Sequence, residues 1–128
     1  MSDHLTVLIA SPDHDYLRLA RTVLRIRGHI VFTTSVGPDR LRRQVSLRWP
    51  DVVLLDCDAN VLTQAHASLT ALGVAVLRVV DDPAAGASPS RAPIGKWVPA
   101  TALVDAVARA GDERTAAGRP HLRLVGSP

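Results

Sequence analysis

The stretch Pro50-Asp51-Val52-Val53-Leu54-Leu55-Asp56 decides the fold of this chain. Its run of apolar, partly β-branched residues between acidic ones predicts a short strand that is buried on both faces. The last residue, Asp56, would then lie at the carboxyl edge of a sheet, where open α/β sheets bind their ligands. The stretch therefore predicts a parallel sheet with a polar site at its edge.

Strands and helices alternate on both sides of this stretch. The predicted strands span residues 5–10, 29–34, 51–56, 74–80 and 94–98, and the predicted helices span 13–27, 37–49, 60–72 and 101–110. Right-handed crossovers between parallel strands then give a doubly wound α/β fold. We expect a five-stranded parallel sheet in the order 2-1-3-4-5, with helices on both faces.

The segment 81–93 interrupts the alternation. It holds three prolines and one glycine in thirteen residues, so a long helix is not expected there. The fourth helix of a doubly wound fold of this kind is therefore predicted to be degenerate or missing.

The length of 128 residues fits one domain with its own core. We assign residues 1–110 to this domain. Residues 111–128 begin with a glycine and are rich in Gly, Pro and Arg, so we expect a flexible C-terminal tail or linker there.

Composition narrows the class of protein. The single cysteine, Cys57, excludes an internal disulfide and is typical of a reducing cytoplasm, so a cytoplasmic location is expected. No apolar stretch is long enough to span a bilayer, which argues against a membrane protein.

The formal net charge is +3, and arginines gather on the first two predicted helices. They form either a solvated polar surface or a docking patch for an acidic partner or nucleic acid. Without interleaved aromatic residues or a helix-turn-helix, autonomous nucleic-acid binding is not expected.

Three stretches together resemble the receiver domain of bacterial response regulators. They are Val7-Leu8-Ile9-Ala10, Gly28-His29-Ile30-Val31 and the stretch 50–56, and the resemblance covers residues 5–110. It implies a phosphoacceptor carboxylate at Asp56. In this family the carboxylate is assisted by Mg²⁺, an acidic pair after the first strand, a Ser or Thr ending the fourth and a Lys ending the fifth.

Most positions of that site are changed here. Ser11 and Pro12 hold the positions of the acidic pair, and proline offers neither a side-chain oxygen nor an N–H. Asp13, one residue further on, is common in the family as a third acid but is not the usual principal ligand. Val80 holds the hydroxyl position and cannot donate to a phosphate. Asp56 is then either a working phosphoacceptor or a retained strand-end carboxylate bonded to Ser11 or to backbone N–H groups.

The lysine position depends on the register of the fifth strand. If Trp97 is the family's switch aromatic, three residues before the lysine, the lysine position falls on Ala100. An alignment counted back from Leu103 instead places Lys96, the only lysine in the chain, at that position. In the first register Trp97 is either a surface switch or a side chain packed at the sheet edge.

Metal sites are weakly indicated. Asp13, Asp56 and Asp58 are candidates for a divalent cation such as Mg²⁺, and Cys57, Asp58 and His66 lack the spacing of a transition-metal motif. The favoured interpretation has no metal and no cofactor.

The resemblance and its departures predict an atypical receiver domain that is not an enzyme. We expect it to act in signal transduction by protein–protein contacts, with a homodimer as one form, and independently of phosphorylation. One alternative is a conventional two-component phosphoacceptor that a histidine kinase phosphorylates on Asp56. Another is a small-ligand sensor on a receiver-like fold.

Overall fold

The computed structural model describes residues 4–57, 59–80 and 94–118. Its elements, in chain order, are β1 (Thr6–Ala10), α1 (His14–Ile26), β2 (Ile30–Thr34), α2 (Pro38–Arg48), β3 (Val52–Leu55), α3 (Ala59–Ala71), β4 (Ala75–Val80), β5 (Ile94–Gly95) and α4 (Ala100–Gly118). All neighbouring strands are parallel, and their order is β2-β1-β3-β4-β5. The predicted fold class is confirmed.

Strand β3 lies at the centre of the sheet, and its four residues are completely buried. Val52 and Leu54 belong to a core shared with α1 and α4, whereas Val53 and Leu55 belong to a second core shared with α2 and α3. This division follows from the alternation of side chains along a strand. The continuous apolar run of the sequence is the pattern that a strand covered on both faces requires.

Helix α1 begins directly after the first strand because Asp13 caps it. The Asp13 carboxylate oxygen Oδ1 accepts hydrogen bonds from the backbone N–H groups of Asp15 and Tyr16. These bonds satisfy donors that the first turn of a helix leaves unpaired. The cap therefore fixes the start of α1 at the carboxyl edge of the sheet.

Helix α2 ends in an unusual way at Trp49. This residue has φ 50° and ψ 55°, which is the left-handed conformation. Where a helix ends in this conformation, the residue is usually glycine. The side chain is 72% exposed, so burial does not explain the choice of tryptophan. Pro50 follows and prevents the helix from continuing.

The predicted end of the last helix at Ala110 is wrong, because α4 continues to Gly118. Gly111, the first residue of the predicted tail, is buried inside the helix, and a Cβ there would lie 2.7 Å from Leu5 Cδ1. The glycine permits close packing of α4 against the segment before β1. Residues 81–93 and 119–128 lie outside the described part of the chain, so the fourth-helix and tail predictions remain predictions.

No helix in the described ranges is both long enough and apolar enough to cross a membrane.

Candidate functional site

The candidate site lies where β1 and β3 end side by side. Asp56 follows β3 directly, and its backbone N–H donates to the carbonyl oxygen of Ala10 at 2.9 Å. This bond extends the β1–β3 ladder by one residue. The Asp56 carboxylate is thereby held beside the segment that follows β1, which begins with Ser11.

Ser11 is 1% exposed and joins two parts of the site. Its hydroxyl donates to Asp56 Oδ2 at 2.6 Å and accepts the backbone N–H of Asp13 at 3.0 Å. A hydrogen bond to a charged acceptor is shorter and stronger than one between neutral groups. The hydrogen bond between Ser11 and Asp56 that the sequence led us to consider is present in the structure.

Lys96 brings a positive charge into the same site. It follows β5, and its backbone N–H donates to the carbonyl oxygen of Val80 at 2.8 Å. Its ammonium lies 3.0 Å from Asp13 Oδ2 and 3.1 Å from Asp56 Oδ2. The side chain of Lys96 is 12% exposed, that of Asp13 is 31% exposed and that of Asp56 is 15% exposed, so water has partial access to this small ion network.

These contacts decide the register that the sequence left open. Lys96, and not Ala100, supplies the ammonium at the end of the fifth strand, whereas Ala100 is the first residue of α4. The register that placed the lysine position on Ala100 is therefore corrected. Its physical reason is the shortness of β5, which ends at Gly95 rather than at the predicted residue 98.

The opposite charges act on the pKa values of the network. The hydrogen bond from Lys96 lowers the pKa of the Asp13 carboxyl, and the bond from the Tyr16 N–H lowers it further. Burial acts to lower the pKa of the Lys96 ammonium, but its bonds to Asp13 and Asp56 outweigh burial, and the net pKa is raised. Both groups are therefore charged at neutral pH.

Two aromatic rings lie beside the ammonium. Lys96 Nζ is 5.7 Å from the ring centroid of Tyr16 and 5.7 Å from that of Trp97. The two rings meet edge to face with 5.7 Å between centroids, and Tyr16 is 2% exposed whereas Trp97 is 59% exposed. Burial, followed by the charge of Asp56, raises the pKa of Tyr16, so its hydroxyl stays protonated.

Tyr16 is the site residue that the sequence interpretation missed. Its spacing from the other apolar residues of α1 is that of a core residue, and nothing in that spacing marks it as part of a site. Trp97 lies one residue after Lys96, not three before it, so in the observed register it does not hold the family's switch-aromatic position. It instead covers the edge of Tyr16 at the surface.

The remaining candidates are placed as follows. Pro12 is exposed, and Val80 is half-buried at the end of β4, beside Gly95. Cys57 and His66 are half-buried, and Asp58 lies outside the described residues. Within the described ranges no group of three His, Cys, Asp or Glu side chains is arranged to hold a metal ion.

The residues present do not fit Mg²⁺ well. The cation requires oxygen ligands in near-octahedral geometry, and the Ser11-Pro12 pair supplies a neutral hydroxyl and no second side-chain oxygen. The two nearby carboxylates, Asp13 and Asp56, both direct Oδ2 at the ammonium of Lys96. The ammonium of Lys96 thus contacts the two carboxylate oxygens that a metal ion would need as ligands.

The architecture is that of response-regulator receiver (CheY-like) domains, as comparison with solved structures shows. One is the receiver domain protein of Methanospirillum hungatei, with a TM-score of 0.68 and 18% identity over 87% of this chain and 96% of that one. Another is the receiver domain of NarL from Mycobacterium tuberculosis, with a TM-score of 0.62 and 19% identity over 86% of this chain and 98% of that one. At these identities the likeness establishes the fold.

A longer protein contains the same fold as one part. NtrX from Brucella abortus, in complex with ADP, matches with a TM-score of 0.76 and 20% identity. The match covers 94% of this chain and 29% of the NtrX chain, so this chain spans less than a third of that protein. No family model matches the sequence, and no curated protein matches it.

Proposed function

We propose that this chain is an atypical receiver domain that takes part in signal transduction by contacting another protein, without phosphorylation of Asp56. Its fold is that of receiver domains, which are signalling modules. The observation that carries the proposal is the closed network in which Asp56 Oδ2 accepts from both Ser11 and Lys96.

Phosphoryl transfer to a carboxylate brings two negative groups together and relies on cations around the phosphoryl oxygens. In the described part of this site the only cation in contact with Asp56 is Lys96, which Asp13 shares at 3.0 Å. Ser11 and Pro12 replace the acidic pair, and Val80 replaces the hydroxyl that would bind the product. The site is therefore poorly built for the reaction and well built to hold one ion-paired arrangement of Asp13, Lys96 and Asp56.

A network of this kind gives the pocket a fixed conformation. Ser11, Asp13, Asp56 and Lys96 connect the ends of β1, β3 and β5 without any added ion. A partner would recognise the resulting surface directly, and regulation would come from the amount or availability of either protein. A second copy of the chain is one such partner.

The test is a titration with beryllofluoride and Mg²⁺, which together imitate an aspartyl phosphate. Trp97 is the fluorescent reporter because its ring contacts Tyr16 beside the site, and a Trp49→Phe background removes the other tryptophan. We expect no saturable change in the unaltered site. The matched variant Ser11→Asp/Pro12→Asp, which restores the acidic pair, should gain a Mg²⁺-dependent response. A saturable response of the unaltered site that Asp56→Asn abolishes would overturn the proposal.

The second candidate function is that of a conventional phosphoacceptor, and one observation favours it. Lys96 follows the fifth strand and touches Asp56 at 3.1 Å, as the family resemblance implies for its lysine. Incubation with acetyl phosphate and Mg²⁺, followed by intact-mass spectrometry, distinguishes the two functions. A phosphoryl adduct that is absent from Asp56→Asn would support the phosphoacceptor.

A further inference from the structure

The charge of the chain is concentrated at one edge of the sheet. Residues 14–48, which form α1, β2 and α2, contain eight of the fifteen basic residues and only two of the twelve acidic ones. All eight are arginines with exposed side chains: Arg18, Arg21, Arg25, Arg27, Arg40, Arg42, Arg43 and Arg48. The rest of the chain is therefore acidic on balance, and this edge attracts anionic groups.

Strand β2 is the edge strand between these two helices. Its first and last residues face β1, because the Ile30 N–H donates to the Leu5 carbonyl and the Thr34 carbonyl accepts from Ser11. By alternation the N–H and C=O groups of Val31 and Thr33 point away from the sheet. Within the described residues β2 pairs only with β1, and it carries neither the lysine nor the proline that often protects an edge.

Apolar side chains flank the start of this edge. Ile30 is 56% exposed and shares a face of β2 with Phe32, whose ring lies 4.3 Å below the Arg48 guanidinium. The next residue, Trp49, is 72% exposed in a left-handed conformation that glycine would adopt at lower cost. Tryptophan and arginine are the residues most enriched in binding hot spots, and here they are adjacent and exposed. A strained backbone conformation at an exposed residue that the core does not require is typical of functional positions.

A cleft of about 480 Å³ flanks the other end of β2. It is lined by His14, Leu17, Thr33, Thr34, Ser35, Arg40, Arg43 and Gln44. None of these side chains is a carboxylate, and two are guanidinium groups, which bind carboxylates in a planar, paired geometry. The strand edge is thus bordered by an apolar anchor point at one end and by a cationic cleft at the other.

We propose that β2 accepts an acidic, extended segment of another protein as an added strand. Val31 and Thr33 would bond to the backbone of this segment, Trp49 and Ile30 would contact an apolar residue, and Arg40 and Arg43 would bind its carboxylates. A second copy of this chain would bring two arginine-rich edges together, which the like charges oppose. This inference rests on the proposed function only in expecting a protein partner.

The test is a binding screen with an array of labelled peptides in which apolar residues alternate with Asp or Glu. Arrays with Lys in place of the acids, and a labelled DNA duplex, are the competing probes. Fluorescence anisotropy of the full chain should show saturable binding of acidic peptides alone. Arg40→Ala/Arg43→Ala should weaken it by about tenfold, whereas Arg109→Ala, an exposed arginine on α4, should leave it unchanged.

Two further readouts distinguish strand addition from general charge attraction. The bound peptide should slow hydrogen exchange of the Val31 and Thr33 amides. Thr33→Pro removes an outward N–H and keeps the bonds to β1, so it should weaken binding by about tenfold or more without unfolding the chain. Trp49→Gly should also reduce affinity by about tenfold, while circular dichroism shows an unchanged fold.

Three binding results would overturn the inference: no acidic peptide binds, the lysine peptides or DNA bind equally well, or Thr33→Pro binds normally. It would also be overturned if light scattering shows a dimer and the Val31 and Thr33 amides are protected from exchange without peptide. These measurements need neither Mg²⁺ nor a phosphate analogue. A failed peptide screen therefore leaves the beryllofluoride result intact, and a positive beryllofluoride result leaves the peptide result intact.

Discussion

Replacing Lys96 by methionine tests the ion network directly. Methionine keeps most of the apolar stem and removes the ammonium that touches Asp13 Oδ2 and Asp56 Oδ2. Because those oxygens contact the same nitrogen at 3.0 and 3.1 Å, they lie within about 6 Å of each other. The variant would leave two neighbouring carboxylates with no cation between them.

The burial of the network sets the expected magnitude. Removing one partner of a fully buried ion pair costs about 3–5 kcal/mol, and exposed pairs contribute about 0–1 kcal/mol. Lys96 is 12% exposed, but Asp13 is 31% exposed, so water partly screens the charges that remain. We therefore expect Lys96→Met to lower the free energy of unfolding by about 1–3 kcal/mol at pH 7.

The pKa shifts determine how this loss depends on pH. Because the pKa of Lys96 is raised in the folded protein, its contribution is complete below the ordinary lysine pKa and is lost as the pH rises through the folded value. The pKa of Asp13 is lowered, so its contribution is present above the ordinary aspartate pKa and is lost as the pH falls through the folded value. The difference between the two proteins should be largest between about pH 5 and 9 and should narrow in acid.

Urea unfolding, followed by circular dichroism at pH 7 and pH 3, measures the effect. The double variant Lys96→Met/Asp56→Asn is the control, because removing one carboxylate should recover part of the lost stability. Equal stability of the Lys96→Met and unaltered chains at pH 7, or a loss that is the same at pH 3, would refute the reasoning.

Three other substitutions test single features of the fold. Ser11→Ala leaves Asp56 and the Asp13 N–H without the hydroxyl that joins them, and urea unfolding should show a loss of about 1–2 kcal/mol. Gly111→Ala should lower the calorimetric Tm, because the added Cβ meets the side chain of Leu5. The same change elsewhere in a helix usually stabilises a protein by about 1 kcal/mol. A raised Tm would contradict the packing against Leu5. Trp49→Gly should change the free energy of unfolding in urea by less than about 1 kcal/mol. Glycine adopts the left-handed conformation without strain, and this gain offsets the loss of the small part of the ring that is buried. A larger loss of stability would show that Trp49 is needed for the fold.

The fold could be predicted because the local signals agree with one another. Each strand is a short apolar run, and capping or turn residues separate it from its neighbouring helices: Asp13 lies before α1, and Gly28 lies between α1 and β2. The end of α4 could not be predicted in this way. A glycine needed for contact with Leu5, at the other end of the chain, has the same local sequence signature as a glycine that ends a helix.

The site was predictable where a residue follows a well-defined strand. Ser11 and Asp56 directly follow β1 and β3, so their proximity comes from the strand order and the register. The lysine was harder to place because β5 has only two residues, and spacing from an aromatic residue depends on where such a short strand ends. The edge-to-face contact of Tyr16 with Trp97 has no sequence signature of its own.

The two oxygens of the Asp13 carboxylate have different partners. Oδ1 caps the first turn of α1, and Oδ2 contacts the ammonium of Lys96. The first turn of α1 and the ion pair with Lys96 are therefore coupled through one side chain. If Lys96 were drawn away from Asp13, the carboxylate would lose one of the three groups that hold it, and we expect the cap of α1 to weaken. The exchange rates of the Asp15 and Tyr16 amides should therefore report whether Lys96 is in contact with Asp13, and they can be measured without any label.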